Sequence, residues 1–396
     1  MIIGIIGGGA AGMAAAIEAS QYGNKVIIFE RQARVGRKLQ ATGNGRCNLS
    51  NLRMQIECYH GQQPAFAAFA LNGFGVEDTL TWFGNLGLFT VAEESGKVYP
   101  YSDQANSVVD VLRFALQKDN VTLHTGAEVK KIKKLTDGFS VECDGLTEYC
   151  DRVIIACGGL AGTKLGGTMS GYKLLGKLGH KCSKLRPALV QLKSDWGALA
   201  SLKGVRTNCS IRIFKDEQLH AQSVGELQFT QYGISGPVVF EVSRDTCSCT
   251  GEWIAEIDFL PHISADQLKQ ELIRRMDRKV PASELLTGIL HNRLGRVLTQ
   301  CVGISDWLNE YQLQAVCEAV KAFRITLTEP MGMESAQVTA GGILTEQFDP
   351  ETMESRLVPG LYACGEVLDI DGDCGGYNLQ WAWSSGRLAG ICAGKE

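Results

Sequence analysis

The chain opens with Met1-Ile-Ile-Gly-Ile-Ile-Gly-Gly-Gly-Ala-Ala-Gly12, continues through an alanine-rich segment, and then reads Lys25-Val-Ile-Ile-Phe-Glu30. The apolar run at residues 2–6 predicts a buried parallel strand, because such strands are covered on both faces. Glycines with the spacing G-x-G-x-x-G follow at the point where this strand should turn into a helix. Strand, glycines, helix and second strand in this order predict a Rossmann-type dinucleotide-binding domain.

The three glycines have separate roles in such a turn. Gly7 permits the tight turn, Gly9 lets backbone N–H groups approach a pyrophosphate, and Gly12 lets the helix pack close to the strand. The helix N-terminus offers unpaired N–H groups and a positive dipole end to phosphates. Glu30 can accept hydrogen bonds from the adenosine ribose, and its charge disfavours a 2′-phosphate. The bound nucleotide is therefore expected to be FAD or NAD rather than NADP.

The segment after Glu30 favours FAD. It is long, rich in glycine and asparagine, and carries four basic side chains between residues 31 and 38. A loop of this length is costly to order unless it binds a ligand. Arg37 and Lys38 can pair as cations with the pyrophosphate, and residues 42–48 can lay backbone and side-chain donors along a flavin edge.

Composition and charge restrict the class of protein. The 396 residues suffice for two or three domains, and a net charge of −4 gives no electrostatic footprint for nucleic acid or an anionic membrane. The apolar N-terminus lacks a basic flank and is broken by glycines, which predicts a buried strand and no signal peptide or membrane span. Fourteen cysteines without a secretion signal indicate reduced thiols and a cytoplasmic protein. None are spaced C-x-x-C, and Cys247-Ser-Cys249 is too tight for a metal knuckle.

Periodicity predicts the remaining elements of the first half. Helices are expected at 64–71, at 76–86 and after a cap at Ser102, with a hairpin over 88–100 between the last two. Strands are expected near 121–124, 126–134, 138–143 and 148–156. The last strand returns the chain to the dinucleotide at Ala156, Cys157 and Gly158, and backbone at Glu128 and Val129 is expected to hold the adenine ring.

Three segments divide the rest of the chain. Residues 187–262 and 323–335 carry short alternating strands that predict a small β-barrel. Residues 263–322 have helical periodicity and predict a helical subdomain. Residues 1–186 and 336–396 then form one discontinuous FAD-binding domain, so the expected fold class is α/β with an inserted β-barrel and a helical subdomain.

The C-terminal run supplies the second flavin signature. Gly365-Glu366 ends a predicted strand, and Gly375-Gly-Tyr-Asn-Leu-Gln380 opens the last helix. A helix N-terminus aimed at the flavin pyrimidine stabilises the negative charge of the reduced flavin. Glu366 is expected to bind a ribityl hydroxyl or a polar ring atom. The aspartates at 369, 371 and 373 resemble the start of a calcium loop, but Cys374 and Gln380 occupy its sixth and twelfth positions, which excludes calcium; no metal is expected.

At this point the motifs identify a resemblance. The chain resembles the flavoproteins labelled aminoacetone oxidase-like or BaiN-like, a family of NAD(P)/FAD-dependent oxidoreductases. The shared motifs are Gly7-Gly-Gly-Ala-Ala-Gly12, Gly36-Arg-Lys38, Thr42-Gly-Asn-Gly-Arg-Cys-Asn48, Gly225-Glu-Leu-Gln-Phe-Thr-Gln-Tyr-Gly-Ile-Ser-Gly-Pro237, Thr339-Ala-Gly-Gly-Ile343 and Gly365-Glu-Val-Leu-Asp-Ile-Asp-Gly-Asp-Cys-Gly-Gly-Tyr-Asn-Leu-Gln-Trp-Ala-Trp383. The resemblance implies an FAD-binding Rossmann domain, a β-barrel and a helical domain. The chain departs from the family at two places. Gln231 stands where the family usually has histidine, and Met169-Ser-Gly-Tyr172 stands where the family usually has Gly-Asp-Gly-Tyr.

Motifs and resemblance together give the expected FAD contacts: Gly7, Gly9, Ala10, Ala11, Gly12, Glu30, Arg31, Arg37, Lys38, Thr42, Gly43, Gly45, Arg46, Cys47, Asn48, Glu128, Val129, Ala156, Cys157, Gly158, Gly365, Glu366, Asn378, Leu379 and Gln380. The chemistry expected is hydride transfer through flavin N5. Tyr232 and Tyr377 are the candidate substrate contacts or proton donors, and His60 and His180 have no sequence partners that suggest catalysis.

Three functions stay open. The first, which is favoured, is an NAD(P)H-driven reductase of an activated C=C bond in a small molecule, with transient nicotinamide binding because a second G-x-G-x-x-G is lacking. The second is an oxygen-using oxidase of a small amine. The third is a non-catalytic or RNA-directed flavoprotein. Neither a nucleic acid nor a membrane is an expected partner, and the oligomeric state is open.

Overall fold

The computed structural model describes residues 1–246, 248, 250–303 and 309–395. Cys247 and Cys249, considered above as metal ligands, lie outside the described residues. The chain folds as two compact units, one formed by Met1–Arg186 with Gln337–Glu396 and the other by Pro187–Ala336.

The strands of the described chain are, in order, β1 (Ile2–Ile6), β2 (Lys25–Glu30), β3 (Ser50–Asn51), β4 (Tyr59–His60), β5 (Thr90–Ala92), β6 (Lys97–Pro100), β7 (Val121–Thr125), β8 (Val129–Lys134), β9 (Phe139–Cys143), β10 (Leu146–Cys150), β11 (Arg152–Ile155), β12 (Arg186–Ala188), β13 (Leu192–Ser194), β14 (Arg206–Lys215), β15 (Gln218–Phe229), β16 (Gly233–Ser235), β17 (Trp253–Asp258), β18 (Phe323–Pro330), β19 (Val338–Ala340), β20 (Leu361–Ala363) and β21 (Asp371–Gly372).

The α-helices are α1 (Ala10–Ala19), α2 (Arg37–Ala41), α3 (Ala68–Gly73), α4 (Val76–Asn85), α5 (Ala105–Ala115), α6 (Ser170–Lys177), α7 (Leu199–Leu202), α8 (Pro237–Val242), α9 (Ala265–Asp277), α10 (Asn292–Cys301), α11 (Glu310–Lys321) and α12 (Tyr377–Gly394). Among the described residues, none of these helices combines the length and the apolar character needed to cross a membrane.

The first unit is built on a parallel sheet. Its strand order is β20-β11-β1-β2-β7, and every neighbouring pair is parallel. The central strand β1 is buried along most of its length, as expected for a strand covered on both faces. The predicted Rossmann fold is confirmed.

Two helices from distant parts of the sequence pack against each other in this unit. A Cβ atom added at Gly386 of α12 would lie inside contact distance of the Ala11 carbonyl oxygen, and one added at Gly390 would meet the Ala15 carbonyl oxygen. Only glycine allows helix backbones to approach this closely. The contact joins the glycine-rich start of the sequence to its C-terminal motif.

Two sequence expectations need correction in this unit. Residues 148–156 form two strands: β10 pairs with β9 in an antiparallel sheet, and β11 joins the parallel sheet next to β1. The chain changes sheet at Asp151, whose N–H donates to the Ile2 carbonyl oxygen at 2.8 Å. The predicted cap at Ser102 is also wrong, because α5 begins at Ala105 and the Ser102 hydroxyl donates to the Ser107 hydroxyl.

The second unit contains the predicted barrel. Six strands close in the order β13-β16-β15-β14-β17-β18, and the inward side chains form a separate hydrophobic core around Ile211, Phe229 and Ile257. Helices α9, α10 and α11 follow β17, which confirms the helical region. Within this region α10 begins at Asn292, where the His291 ring nitrogen accepts the Arg293 N–H.

Candidate active site

The turn after β1 has the geometry of a dinucleotide-binding loop. Gly7 has φ +111°, and a Cβ there would collide with the Ala156 carbonyl oxygen; a Cβ at Gly12 would collide with the Gly7 carbonyl oxygen. Gly9 differs, since nothing lies within 4 Å of an added Cβ. Gly7 and Gly12 are therefore required by the fold. Gly9 instead leaves an open face at the N-terminus of α1.

Glu30 lies beside this turn at the end of β2. Its carboxylate accepts hydrogen bonds from the Gly8 N–H (2.8 Å) and the Gln32 N–H (2.7 Å), which leaves further lone pairs on both oxygens. The Ala127 N–H donates to the Glu30 carbonyl oxygen at 2.9 Å. The chain at Glu128 and Val129 is thereby held next to Glu30, where the adenine contact was predicted.

The end of β11 closes the other side of the turn. The Ala156 N–H donates to the Ile6 carbonyl oxygen at 2.9 Å, and the Cys157 thiol lies 3.4 Å from the same oxygen. Burial raises the pKa of the Cys157 thiol to about 12, so this thiol stays protonated at neutral pH. Gly158 has φ +67° and open space beside it.

Three of the four cationic residues after β2 bond to protein groups. Arg31 donates to the Gly166 carbonyl oxygen at 2.8 Å, and Arg37 donates to the Gln32 side chain at 2.7 Å. Lys38 forms an ion pair with Glu366 at 2.8 Å. This last pair links the two sequence motifs predicted to bind the cofactor.

The side chain of Arg46, a predicted flavin contact, interacts with other protein side chains. Its guanidinium stacks 3.9 Å from the centre of the Tyr99 ring and pairs with Glu93 and Asp103. The backbone of the same segment is tightly folded, with positive φ at Gly43, Gly45 and Cys47, and the Thr42 carbonyl oxygen accepts the Cys47 N–H. Any contact from residue 46 to a flavin would therefore come from its backbone.

The two residues that follow are buried. Burial raises the pKa of the Cys47 thiol to about 12, which makes it an unreactive packing group. The Asn48 side-chain oxygen is also buried and, among the described residues, has no hydrogen-bond partner. It faces Gly376, where an added Cβ would lie 2.9 Å from it. A buried acceptor without a donor at a helix start indicates a place for a ligand N–H.

The turn at Gly365 is fixed against α1 and α12. Gly365 has φ +73°, its N–H donates to the Ser385 hydroxyl at 3.0 Å, and its carbonyl oxygen accepts the Trp381 indole N–H at 3.2 Å. Glu366 then accepts the Thr339 N–H at 2.9 Å in addition to its pair with Lys38. Contacts from α2 and from β19 thus hold the Glu366 carboxylate in position.

The first turn of α12 presents backbone rather than side-chain donors. Asn378 uses its amide to close the preceding turn, accepting the Gly372 N–H at 2.8 Å and donating to the Gly372 carbonyl oxygen at 2.7 Å. The N–H groups of Asn378 and Leu379 belong to the first turn, where no intrahelical acceptor exists. These amides fit the predicted role of a helix end at the flavin.

Gln380 has a structural role that the sequence did not indicate. Its side chain is fully buried, accepts the Ser50 hydroxyl at 2.7 Å, and donates to the Phe74 carbonyl oxygen, the Thr79 hydroxyl and the Ser384 hydroxyl. The amide is saturated by the protein. It tethers α12 to α4 and β3.

Replacing Gln380 with leucine is expected to destabilise the protein by about 3 kcal/mol, because several buried polar groups lose their partner. The measurement is the free energy of unfolding in urea. Gln314→Leu, on the exposed face of α11, is the matched control and is expected to change stability by less than about 0.5 kcal/mol. Equal stabilities of the two variants would show that the Gln380 network contributes nothing.

The two candidate catalytic tyrosines differ in environment. Tyr232 is 61% exposed and lines a pocket of about 400 Å³ in the second unit, together with Gln231, Trp196 and Leu199. Tyr377 is buried in the first unit, with its ring edge-on to Tyr59 at 6.3 Å. Tyr232 is thus open to solvent, whereas Tyr377 is largely buried.

Sequence reasoning missed two polar groups. The Tyr172 hydroxyl is buried beside the Thr339 side chain, and burial first, then the Glu366 carboxylate, raises its pKa. His60 has no sequence neighbour that suggests catalysis, but in the fold its Nε2 lies 2.6 Å from Asp373 Oδ1. The pairing of β4 with β21 brings these residues together across more than 300 positions, so no local signal could reveal it. The His180 ring nitrogens contact the Ser355 hydroxyl and the Leu175 carbonyl oxygen, and the ring stacks on Phe348 with the ring centres 5.0 Å apart.

These residues fit FAD. The open face at Gly9 and the helix dipole of α1 suit a pyrophosphate, and Glu30 suits a ribose. The unpartnered Asn48 oxygen at the start of α12 suits a ring N–H of the isoalloxazine. When bound, FAD supplies the redox chemistry, and the protein supplies binding, orientation and electrostatics.

Fold and site together define an FAD-dependent oxidoreductase of the Rossmann type. The chain belongs to the HI0933-like protein family, whose Rossmann domain description matches residues 1–392. This confirms the family resemblance seen in the sequence.

Comparisons with individual proteins agree with this family. The chain is 42% identical to a 3-dehydro-bile acid delta(4,6)-reductase of Clostridium scindens, over 100% of this chain and 99% of the relative. It is 33% identical to a ribosomal RNA dihydrouridine synthase of Escherichia coli, over 96% and 95%. Its fold resembles the crystal structure of 3-ketosteroid delta1-dehydrogenase from Sterolibacterium denitrificans, with TM-score 0.51, 12% identity and 99% of both chains covered.

Proposed function

We propose that this protein is an FAD-dependent reductase that saturates an activated C=C bond in a small organic substrate, with NADH or NADPH as the electron donor. The observation that carries the proposal is the 42% identity, over the whole length of both chains, to a reductase of a bile acid double bond. The flavin motifs described above supply the means of hydride transfer.

The reaction consumes one hydride and one proton per double bond. NAD(P)H would give up a hydride and become NAD(P)+, and FAD held by the turn at Gly7–Gly12 and the start of α12 would supply the redox chemistry that delivers this hydride to the electron-poor carbon of the C=C bond. The neighbouring carbon takes a proton from an acid. The chain carries one G-x-G-x-x-G, at Gly7–Gly12, so the nicotinamide is expected to bind transiently.

Two residues of the second unit support a small apolar substrate. Trp196 and Tyr232 line the pocket of about 400 Å³, a volume within the usual range for small-molecule sites. Tyr232 is the proposed contact for a substrate oxo or hydroxyl group, and Tyr377 the less accessible alternative. Gln231, in the same pocket, cannot act as an acid, unlike the histidine that the family usually has there.

A second candidate is reduction of a uridine in RNA, which is favoured by the 33% identity to a ribosomal RNA dihydrouridine synthase. Both relatives' names denote saturation of a C=C bond, so the two candidates share their chemistry and differ in substrate size. The net charge of −4 favours the small molecule.

The test begins with the purified flavoprotein under anaerobic conditions. We expect NADH or NADPH to bleach the flavin absorption, and we expect a 3-dehydro-4,6-diene bile acid to restore it with formation of the saturated product. Ribosomal RNA transcripts and small amines are tested in parallel under the same conditions.

Two other results would favour a different function. Reoxidation by the RNA and not by the steroid would overturn the small-molecule proposal in favour of a uridine reductase. A flavin that ignores both nucleotides but is reduced by a small amine, with peroxide formed in air, would indicate an oxidase.

A further inference from the structure

A histidine and a carboxylate form a partly exposed pair beside the start of α12. His60 Nε2 lies 2.6 Å from Asp373 Oδ1, and the side chains are 31% and 45% exposed. Within the described residues, no hydrogen bond engages the other ring nitrogen, Nδ1. The pair thus has one ring nitrogen held by a carboxylate and one available to a ligand, and solvent can renew its proton.

The backbone around the pair is fixed. The Asp373 N–H donates to the Cys58 carbonyl oxygen at 2.9 Å, and the Asp373 carbonyl oxygen accepts the Asn378 side chain at 3.3 Å. On the other strand, His60 lies opposite Asp371 in the antiparallel pairing of β4 with β21. Asn378 belongs to the first turn of α12, so the carboxylate is anchored to the same turn that fits the flavin.

The buried side-chain oxygen of Asn48 lies at the same turn. The unpartnered Asn48 oxygen faces Gly376, three residues after Asp373. His60, held by Asp373, therefore lies near the same turn as the Asn48 oxygen, which fits a flavin ring. A reducible substrate must lie against that ring for hydride transfer.

We propose that His60 is the acid that protonates the substrate, with Asp373 as the residue that positions it; the inference rests on the proposed C=C reduction. Hydride addition to one carbon leaves the electron pair of the double bond on its neighbour. The protonated imidazole gives its Nδ1 proton to that carbon, and the neutral ring keeps its Nε2 proton on the Asp373 carboxylate. Solvent then returns the proton to Nδ1 before the next turnover.

Carboxylates from residues 369–373 lie near His60. Asp373 faces it directly, Asp371 lies across the strand pair, and the Asp369 carboxylate accepts the Gln62 N–H two residues from His60. The Cys58 and Cys374 thiols, the Tyr59 and Tyr377 hydroxyls and the Lys97 amine also lie on or near these two strands and the start of α12. A general acid acts only while it carries its proton, so the rate is expected to fall as the solution becomes alkaline.

The experiment measures a single turnover of the holoenzyme. Flavoprotein reduced with dithionite is mixed anaerobically with a 3-dehydro-4,6-diene bile acid, and flavin reoxidation is followed between pH 5.5 and 9. His60→Gln is expected to slow reoxidation about a hundredfold and to remove the alkaline fall in rate. Asp373→Asn keeps the side-chain shape and is expected to move that fall to lower pH, because the imidazole loses its counter-charge.

The control separates chemistry from folding. Asp110→Asn removes a carboxylate from another exposed ion pair of the first unit, with Arg113, and is expected to leave the rate and its pH dependence unchanged. Flavin content and melting temperature are measured for all variants. A His60→Gln or Asp373→Asn protein with full flavin content and wild-type pH dependence overturns the acid assignment. A wild-type protein that the dienone does not reoxidise overturns the proposed function first, and the assignment with it.

Discussion

Replacing Gly9 with alanine is expected to leave the protein folded and to weaken FAD binding about a hundredfold, which corresponds to about 3 kcal/mol. The backbone of Gly9 is extended, with φ −82°, so alanine causes no strain, and an added methyl meets no protein atom within 4 Å. The methyl would instead occupy the space through which a pyrophosphate approaches the N–H groups of α1. The measurement is FAD affinity by fluorescence quenching, with circular dichroism to verify the fold.

Gly12→Ala is expected to behave differently, because its Cβ would collide with the Gly7 carbonyl oxygen. This variant should lose cooperative unfolding as well as flavin. Gly84→Ala, on α4 with nothing near its Cβ, is the silent control. Full FAD affinity in a folded Gly9→Ala protein would contradict the assignment of this turn to the pyrophosphate.

The second large effect is expected at the contact between α1 and α12. Gly386→Val should destabilise the protein by at least about 4 kcal/mol, since the new side chain has no room against the Ala11 backbone and forces the helices apart. The FAD site should be lost with it, because the start of α12 moves away from Asn48. Chemical unfolding and flavin content of the purified protein measure the two losses.

A glycine in an open helix position provides the matched control. Gly176 of α6 is exposed, and no atom lies within 4 Å of an added Cβ. Gly176→Ala is therefore expected to stabilise the protein by about 0.5–1 kcal/mol, because alanine restricts the unfolded chain. If both substitutions destabilised the protein equally, backbone approach at Gly386 would not be the cause.

The parallel sheet could be predicted from the sequence because its strands are short apolar runs. Glycines follow these runs with a spacing that is typical of a dinucleotide-binding turn. Gly7 and Gly12 illustrate this, since each is required by a collision visible in the fold. The barrel was also predictable from alternating strands. These features depend on local patterns of spacing and hydrophobicity.

The side-chain assignments within the last helix were harder to predict. Helix α12 is buried on most of its circumference, so no polar face indicates which residues point to a ligand and which point to the core. Gln380 consequently reads as a flavin contact and yet bonds to Ser50 and Thr79. The pairs Lys38–Glu366 and His60–Asp373 join residues hundreds of positions apart, and only the folded chain brings them together.

The discontinuity of the first unit has a consequence for biosynthesis. When a ribosome has translated the first 336 residues, β1, β2, β7 and β11 are available, but β20 and α12 have not yet been made. The nascent sheet lacks an edge strand, and the face of α1 around Ala11 and Ala15 has no helix to cover it. The barrel unit, which has its own hydrophobic core, can meanwhile fold. FAD is therefore expected to bind only after α12 has been translated, because α12 supplies part of its site.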